Sequence, residues 1–207
     1  MGVNVSVIIG CHGATDWADL AWSRAYPSAI GQGANEVLVS FEKNGTIASA
    51  RNAGAAESKG EWLIFLDADD ELAPGYIAAM FSASLREGNE ALLAPAVSYC
   101  VLGYPPQEPK FWRNGDADRL ISGNWLLIGT AVHRSIFEAA GGFHEWPIYE
   151  DWDLWLRCLA AGANPVKVPE AVYLAHVNSD SRNKRLRHDE RVKIHHEILR
   201  ANHPELY

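Results

Sequence analysis

Leu63-Ile64-Phe65-Leu66 runs without a break into Asp67-Ala68-Asp69-Asp70. The apolar run predicts a strand buried on both faces. Three carboxylates in the next four positions cannot follow it into a core, because close like charges repel and are costly to desolvate. The strand must therefore end at a cleft or surface, where its acids stay in water or meet a cation. A hard divalent cation with oxygen ligands relieves such a cluster. In an open α/β sheet, ligands gather beyond the carboxyl ends of the strands. Taken alone, the segment reads equally well as an acidic turn with no ion.

Apolar periodicity and breakers divide the rest of the chain into alternating strands and helices. Val3 to Ile9 predicts a strand and Cys11 to Ala14 a loop. Asp16 is the expected cap of a helix through Leu20, Trp22 and Ala25, which Pro27 interrupts or kinks. Glu36 to Phe41 is a strand, and Lys43-Asn44-Gly45 a turn. Thr46 to Lys59 is a helix, Glu61 to Leu66 the acid-bearing strand, and Pro74 to Glu87 a helix. A strand follows at Ala91 to Val101. Helices are expected at Ala131 to Ala140 and Glu150 to Ala161, each stopped by glycine. Val166 to His176 is a final strand and Asp189 to Ala201 a terminal helix. This order predicts an α/β fold with a mixed, mostly parallel sheet flanked by helices. With no repeat and no low-complexity linker, residues 1–207 are expected to form a single domain.

Composition narrows the partners. A net charge of −8 argues against nucleic acid, which would need a basic surface; the one basic run, Arg182 to Arg191, also contains Asp189 and Glu190. Cys11, Cys100 and Cys158 are odd in number and lack metal spacing, which suits a reducing, cytoplasmic setting. No apolar run approaches the roughly 18 residues of a membrane span.

Several segments, taken in order, resemble the GT-A glycosyltransferases of family 2, which are inverting and use nucleotide sugars. They are Val5 to Ile9, Glu36 to Val39, Ala50-Arg51-Asn52-Ala53-Gly54, Lys59 to Asp70, Gly141-Gly142-Phe143 and Glu150-Asp151. The resemblance implies a compact GT-A, Rossmann-like domain with three parts. Residues 1–101 would bind the nucleotide sugar, 102–178 would carry acceptor and catalytic groups, and 179–207 would be a C-terminal loop and helix.

The resemblance also implies roles. Asp151 would be the general base that takes the acceptor hydroxyl's proton, its ionised form favoured by a helix N-terminus. Asp69, Asp70 and His176 would hold Mn²⁺ or Mg²⁺. Ile9, Cys11, Glu42, Arg51, Asp67, Asp69 and Arg182 would meet the donor, with Arg182 clamping its diphosphate. Arg51 serves equally well as an ion pair to Asp67. Trp125, Trp146 and Glu150 fall on the acceptor side, where indole faces suit sugar rings. The family's usual acidic pair after the second strand is replaced by Ser40-Phe41-Glu42-Lys43, so that Glu42 substitutes for it or Phe41 stacks on the base. A UDP-sugar is the expected donor, with a glycan, a lipid-linked sugar or a protein as acceptor. Two other classes compete: an inactive nucleotide-sugar or glycan-binding module, and a nucleotidyltransferase. Gly10-Cys11-His12-Gly13, with no lysine nearby, fits the latter's phosphate loop poorly.

Overall fold

The structure, a computed structural model, describes residues 4–111, 120–177 and 185–206. In chain order its elements are β1 (Val5–His12), α1 (Asp16–Leu20), a π-helical turn (Ala21–Ala25), α2 (Tyr26–Ala29), β2 (Glu36–Glu42), α3 (Ile47–Glu57) and β3 (Trp62–Asp67). Then come β4 (Glu71–Leu72), α4 (Tyr76–Glu87), β5 (Ala91–Cys100), β6 (Ala131–His133), α5 (Arg134–Ala139), α6 (Glu150–Ala160), β7 (Asn164–His176) and α7 (His188–Asn202).

The strands form one sheet in the order β2-β1-β3-β6-β5-β7-β4. β1 pairs parallel with β2 and β3, and β5 with β7, while β6 and β4 run antiparallel to their neighbours. Of the seven strands among the described residues, five therefore point one way, and the sheet is mixed but mostly parallel. Leu63 to Leu66 are completely buried, as a strand covered on both faces requires.

Three expectations change. Cys11 lies in β1 and pairs with Phe41, because β2 offers backbone partners as far as Glu42. Ala131 to Ala140 is not one helix: Ala131, Val132 and His133 fill the gap between β3 and β5 as β6 before α5 begins. Sheet pairing over a long sequence separation overrides the local pattern there. Of the two outcomes expected at Pro27, interruption does not occur, and the helix continues as α2. Pro27 sits in the first turn of α2, and the wider π turn before it accommodates the missing donor.

Two features seat α3 against the sheet. Thr46 Oγ1 accepts from Ser49 N at 3.1 Å while Ser49 Oγ accepts from Thr46 N at 2.8 Å, closing the helix start. At its far end the Arg134 guanidinium donates to the carbonyls of Ala55, Ser58 and Gly60. Midway, Gly54 allows close approach to β1 and β2: a Cβ there would meet Ile8 Cγ2 at 2.5 Å and Ser40 Cβ at 3.0 Å. Gly54→Ala should gain about 1 kcal/mol of helix propensity yet lose about 1–3 kcal/mol to overpacking, for a net loss of stability. A urea midpoint equal to or above that of the parent chain would contradict this packing.

Candidate active site

Arg51 leaves the buried face of α3 with 1% of its surface exposed. Its Nη2 donates to Asp67 Oδ1 at 2.6 Å and its Nη1 to Glu150 Oε1 at 2.8 Å. The guanidinium also stands 5.1 Å from the centroid of the Phe143 ring. Burial alone would favour loss of its proton, but the Asp67 and Glu150 carboxylates outweigh this and raise its pKa. One side chain thus ties the end of β3 to the start of α6. Asn52, the next residue, clasps the backbone of Phe143: Nδ2 donates to its carbonyl and Oδ1 accepts from its N–H, both at 2.9 Å. Gly142 permits this contact, with φ +72° and a would-be Cβ only 2.7 Å from Asn52 Oδ1.

Asp67, Asp69 and Asp70 each present an oxygen, all within 4.8 Å of one another. The turn that gathers them is closed by Asp70 N donating to Asp67 O at 3.1 Å. Pairing of β4 with β7 then sets Asp70 beside two donors. Tyr173 OH donates to its Oδ2 at 2.9 Å and His176 N to its Oδ1 at 2.7 Å. Burial, then Asp67 and Asp69, push the Asp70 carboxyl well above the usual range; burial, then Asp67, raise Asp69. An all-carboxylate set under mutual repulsion fits a hard cation such as Mg²⁺ or Mn²⁺. The His176 ring has Nε2 2.6 Å from Glu71 Oε2, its charge acts on Asp69, and its backbone N–H donates to Asp70.

Asp151 is the second residue of α6. Its Oδ2 accepts from Asn124 Nδ2 at 2.9 Å and its Oδ1 from Trp152 N at 2.8 Å. The chain turns into α6 through Tyr149, the only non-glycine with positive φ (65°) among the described residues. The helix terminus does not keep Asp151 in the ordinary carboxylate range. Burial first, and the adjacent Glu150 second, push its pKa up to about 6, against Arg51, the Trp152 N–H and Asn124.

A cleft of about 500 Å³ joins these parts, with Arg51, Asp67, Asp70, Asn124, Trp125, Tyr149, Glu150, Asp151, Tyr173 and Arg191 on its walls. Other residues singled out from the sequence lie off it. Ile9 and Cys11 are sealed in the core, and burial, then Asp67, push the Cys11 thiol up to about 11. The Glu42 carboxylate accepts from Ser49 Oγ. Trp146 is half-buried and packs against the core. Arg182 lies outside the described residues. Conversely, sequence reading passed over Asn124 and Tyr173, which hold Asp151 and Asp70 from 27 and 103 positions away. No local pattern marks either one. Tyr149 and Arg191 also escaped notice, Arg191 within a run read only for its charge.

The family description "Glycosyl transferase family 2" matches residues 31–137, just over half of the chain. The chain belongs to this family. Among curated proteins it is similar to "Uncharacterized glycosyltransferase YwdF" of Bacillus subtilis (strain 168), with 28% identity over 125 residues. That match covers 58% of this chain and 47% of YwdF, so the chain spans about half of that relative's length. Among solved structures it resembles S. aureus TarS 1-349 in complex with UDP-GlcNAc, with a TM-score of 0.65, 11% identity, and coverage of 97% of this chain and 65% of the TarS chain. A second crystal structure of S. aureus TarS 1-349 gives a TM-score of 0.62 at 11% identity, covering 97% and 64%. At this identity the likeness shows the fold, which is that of a GT-A enzyme.

The raised carboxyls carry a sign. A folded pKa above the unfolded one means that the folded chain binds more protons between the two values, so stability falls as pH rises through that window. In a chelator, Asp70→Asn should therefore be the more stable chain at pH 7.5, and its advantage should shrink toward pH 4. Urea midpoints at the two pH values measure this; a less stable Asp70→Asn chain at pH 7.5 would contradict the repulsion.

Proposed function

We propose that this chain is a metal-dependent, inverting glycosyltransferase that moves a sugar from a nucleoside diphosphate, UDP by default, to an acceptor hydroxyl. The observation that carries this reading is the shared cleft. A repelling carboxylate cluster lies at the end of β3, and a carboxylate whose pKa stands at about 6 lies at the start of α6. Family membership supports the reaction type, and the UDP-GlcNAc in complex with TarS supports a nucleotide-sugar donor.

Asp67, Asp69 and Asp70 would hold Mg²⁺ or Mn²⁺, which supplies Lewis-acid neutralisation of the departing diphosphate. Asp151 accepts the acceptor's proton as its oxygen forms a bond to the anomeric carbon. The bond from that carbon to the diphosphate oxygen breaks on the opposite face, and a single displacement inverts the centre. A pKa of about 6 makes Asp151 a stronger base than an ordinary carboxylate, yet leaves it ionised near neutrality. Asn124 and the Trp152 N–H each hold one oxygen of that carboxylate and together fix its orientation. In this reading residues 1–101 form the donor half and 102–178 the acceptor half. Among the described residues no helix is long and apolar enough to cross a membrane. The three free thiols suit a reducing, cytoplasmic compartment.

Nucleoside diphosphate release from a nucleotide-sugar panel with Mn²⁺ is the direct assay. The rate should fall with acidity below about pH 6, where Asp151 takes up its proton. Asp151→Asn should keep nucleotide binding and lose about 10²–10⁴ in turnover. Asn124→Ala should shift the acid limb to higher pH, because that amide favours the carboxylate form. Normal turnover in Asp151→Asn would remove the base assignment. Release of pyrophosphate from a nucleoside triphosphate would point instead to a nucleotidyltransferase.

A further inference from the structure

We infer that Arg191 is an anion-binding residue on the acceptor side of the cleft, and that the acceptor carries a phosphate or carboxylate close to its reacting hydroxyl. This rests on the glycosyl-transfer reading above.

The cleft walls carry Asp67, Asp70, Glu150 and Asp151 against two guanidinium groups. Arg51 is paired through both terminal nitrogens with two of those acids, although its Nε, like that of Arg191, is buried without a partner. Arg191, half-buried in the first turns of α7, makes no side-chain hydrogen bond or ion pair with any described residue, and its Nε is sealed from solvent. A guanidinium N–H that has lost water and has no partner among the described residues is costly, and a ligand anion on the cleft-facing part of the group offsets that cost. Its planar fork matches two oxygens of one phosphate or carboxylate.

Packing puts the helix that carries Arg191 against the helix that carries the base. His195, one helical turn further along the same face of α7, stacks on Trp152 with ring centroids 4.4 Å apart and planes 21° from parallel. Trp152 directly follows Asp151. The far end of α7 is pinned to the same helix, where Asn202 Nδ2 donates to Asp153 Oδ1 at 2.9 Å. The Asp153 carboxylate is in turn held by Arg157. Arg191 is therefore carried by an element fixed at two points to α6, whereas the acids for the donor's diphosphate lie on the turn between β3 and β4. An anionic acceptor approaching Asp151 and Glu150 would be repelled, and Arg191 offsets that repulsion. In a chain of net charge −8, this cation marks one contact and not a general affinity for polyanions.

The test is calorimetric titration of inorganic phosphate into the full chain, already saturated with Mg²⁺ and whichever of UDP, dTDP or GDP it binds best. Phosphate should still bind with the nucleotide in place. Arg191→Gln should weaken phosphate about tenfold or more while nucleotide affinity, which also reports folding, stays as it was. Absence of phosphate binding, or equal binding by Arg191→Gln, overturns the proposal. So does displacement of phosphate by the nucleotide with weaker nucleotide binding in the variant, which would make Arg191 a donor contact. Arg191-dependent phosphate binding in a chain that binds no nucleotide would sustain the anion site and sink the glycosyl-transfer reading.

Discussion

The site is organised around one buried cation. Arg51 has almost no surface and two carboxylate partners, one ending a strand and the other beginning a helix about 100 residues away in sequence. Burying a guanidinium is tolerable only with such pairing, and removing one member of a buried pair costs about 3–5 kcal/mol. The pairing therefore does more than join two elements. It fixes where Asp67 and Glu150 stand, and through their chain neighbours it orients the acidic turn and the segment that begins with Asp151.

Around this bridge the charges divide the labour. Asp67, pinned to Arg51, lies close to Asp69 and Asp70 and helps to raise the pKa of both, so the cluster favours an added cation. Glu150, pinned to the same guanidinium, raises the pKa of Asp151, which Arg51 counteracts in part. Tyr173 and the His176 backbone steady one side, and Asn124 the other. Two groups of acids in one cleft thus have their protonation set by their surroundings, not by their residue type.

Much of this was legible in the sequence for a definite reason. The strand-and-acid run, the Arg51-Asn52 pair, Gly141-Gly142-Phe143 and Glu150-Asp151 are separate in sequence but touch in space. Arg51 meets Asp67, Glu150 and Phe143, while Asn52 grips Phe143 beside Gly142. What could not be read depends on long-range pairing. β6 looks like the start of a helix until β3 and β5 flank it. Asp151 looks like an ordinary helix-start acid until burial and Glu150 raise its pKa. The contact of the His176 ring with Glu71 joins residues 105 positions apart. Asn124 and Tyr173 sit in segments whose local pattern says nothing about the carboxylates they hold.

If one guanidinium couples the two halves of the cleft, a change at Arg51 must be felt in both. Arg51→Lys keeps the charge but lacks the fork needed to hold two carboxylates at once. The deciding measurement pairs the Mg²⁺-dependent affinity for nucleoside diphosphate with the pH profile of diphosphate release, in the parent chain and in a folded Arg51→Lys chain. The bridge predicts weaker nucleotide binding together with an acid limb displaced from about pH 6. Unchanged values, or a change in one readout without the other, would contradict it.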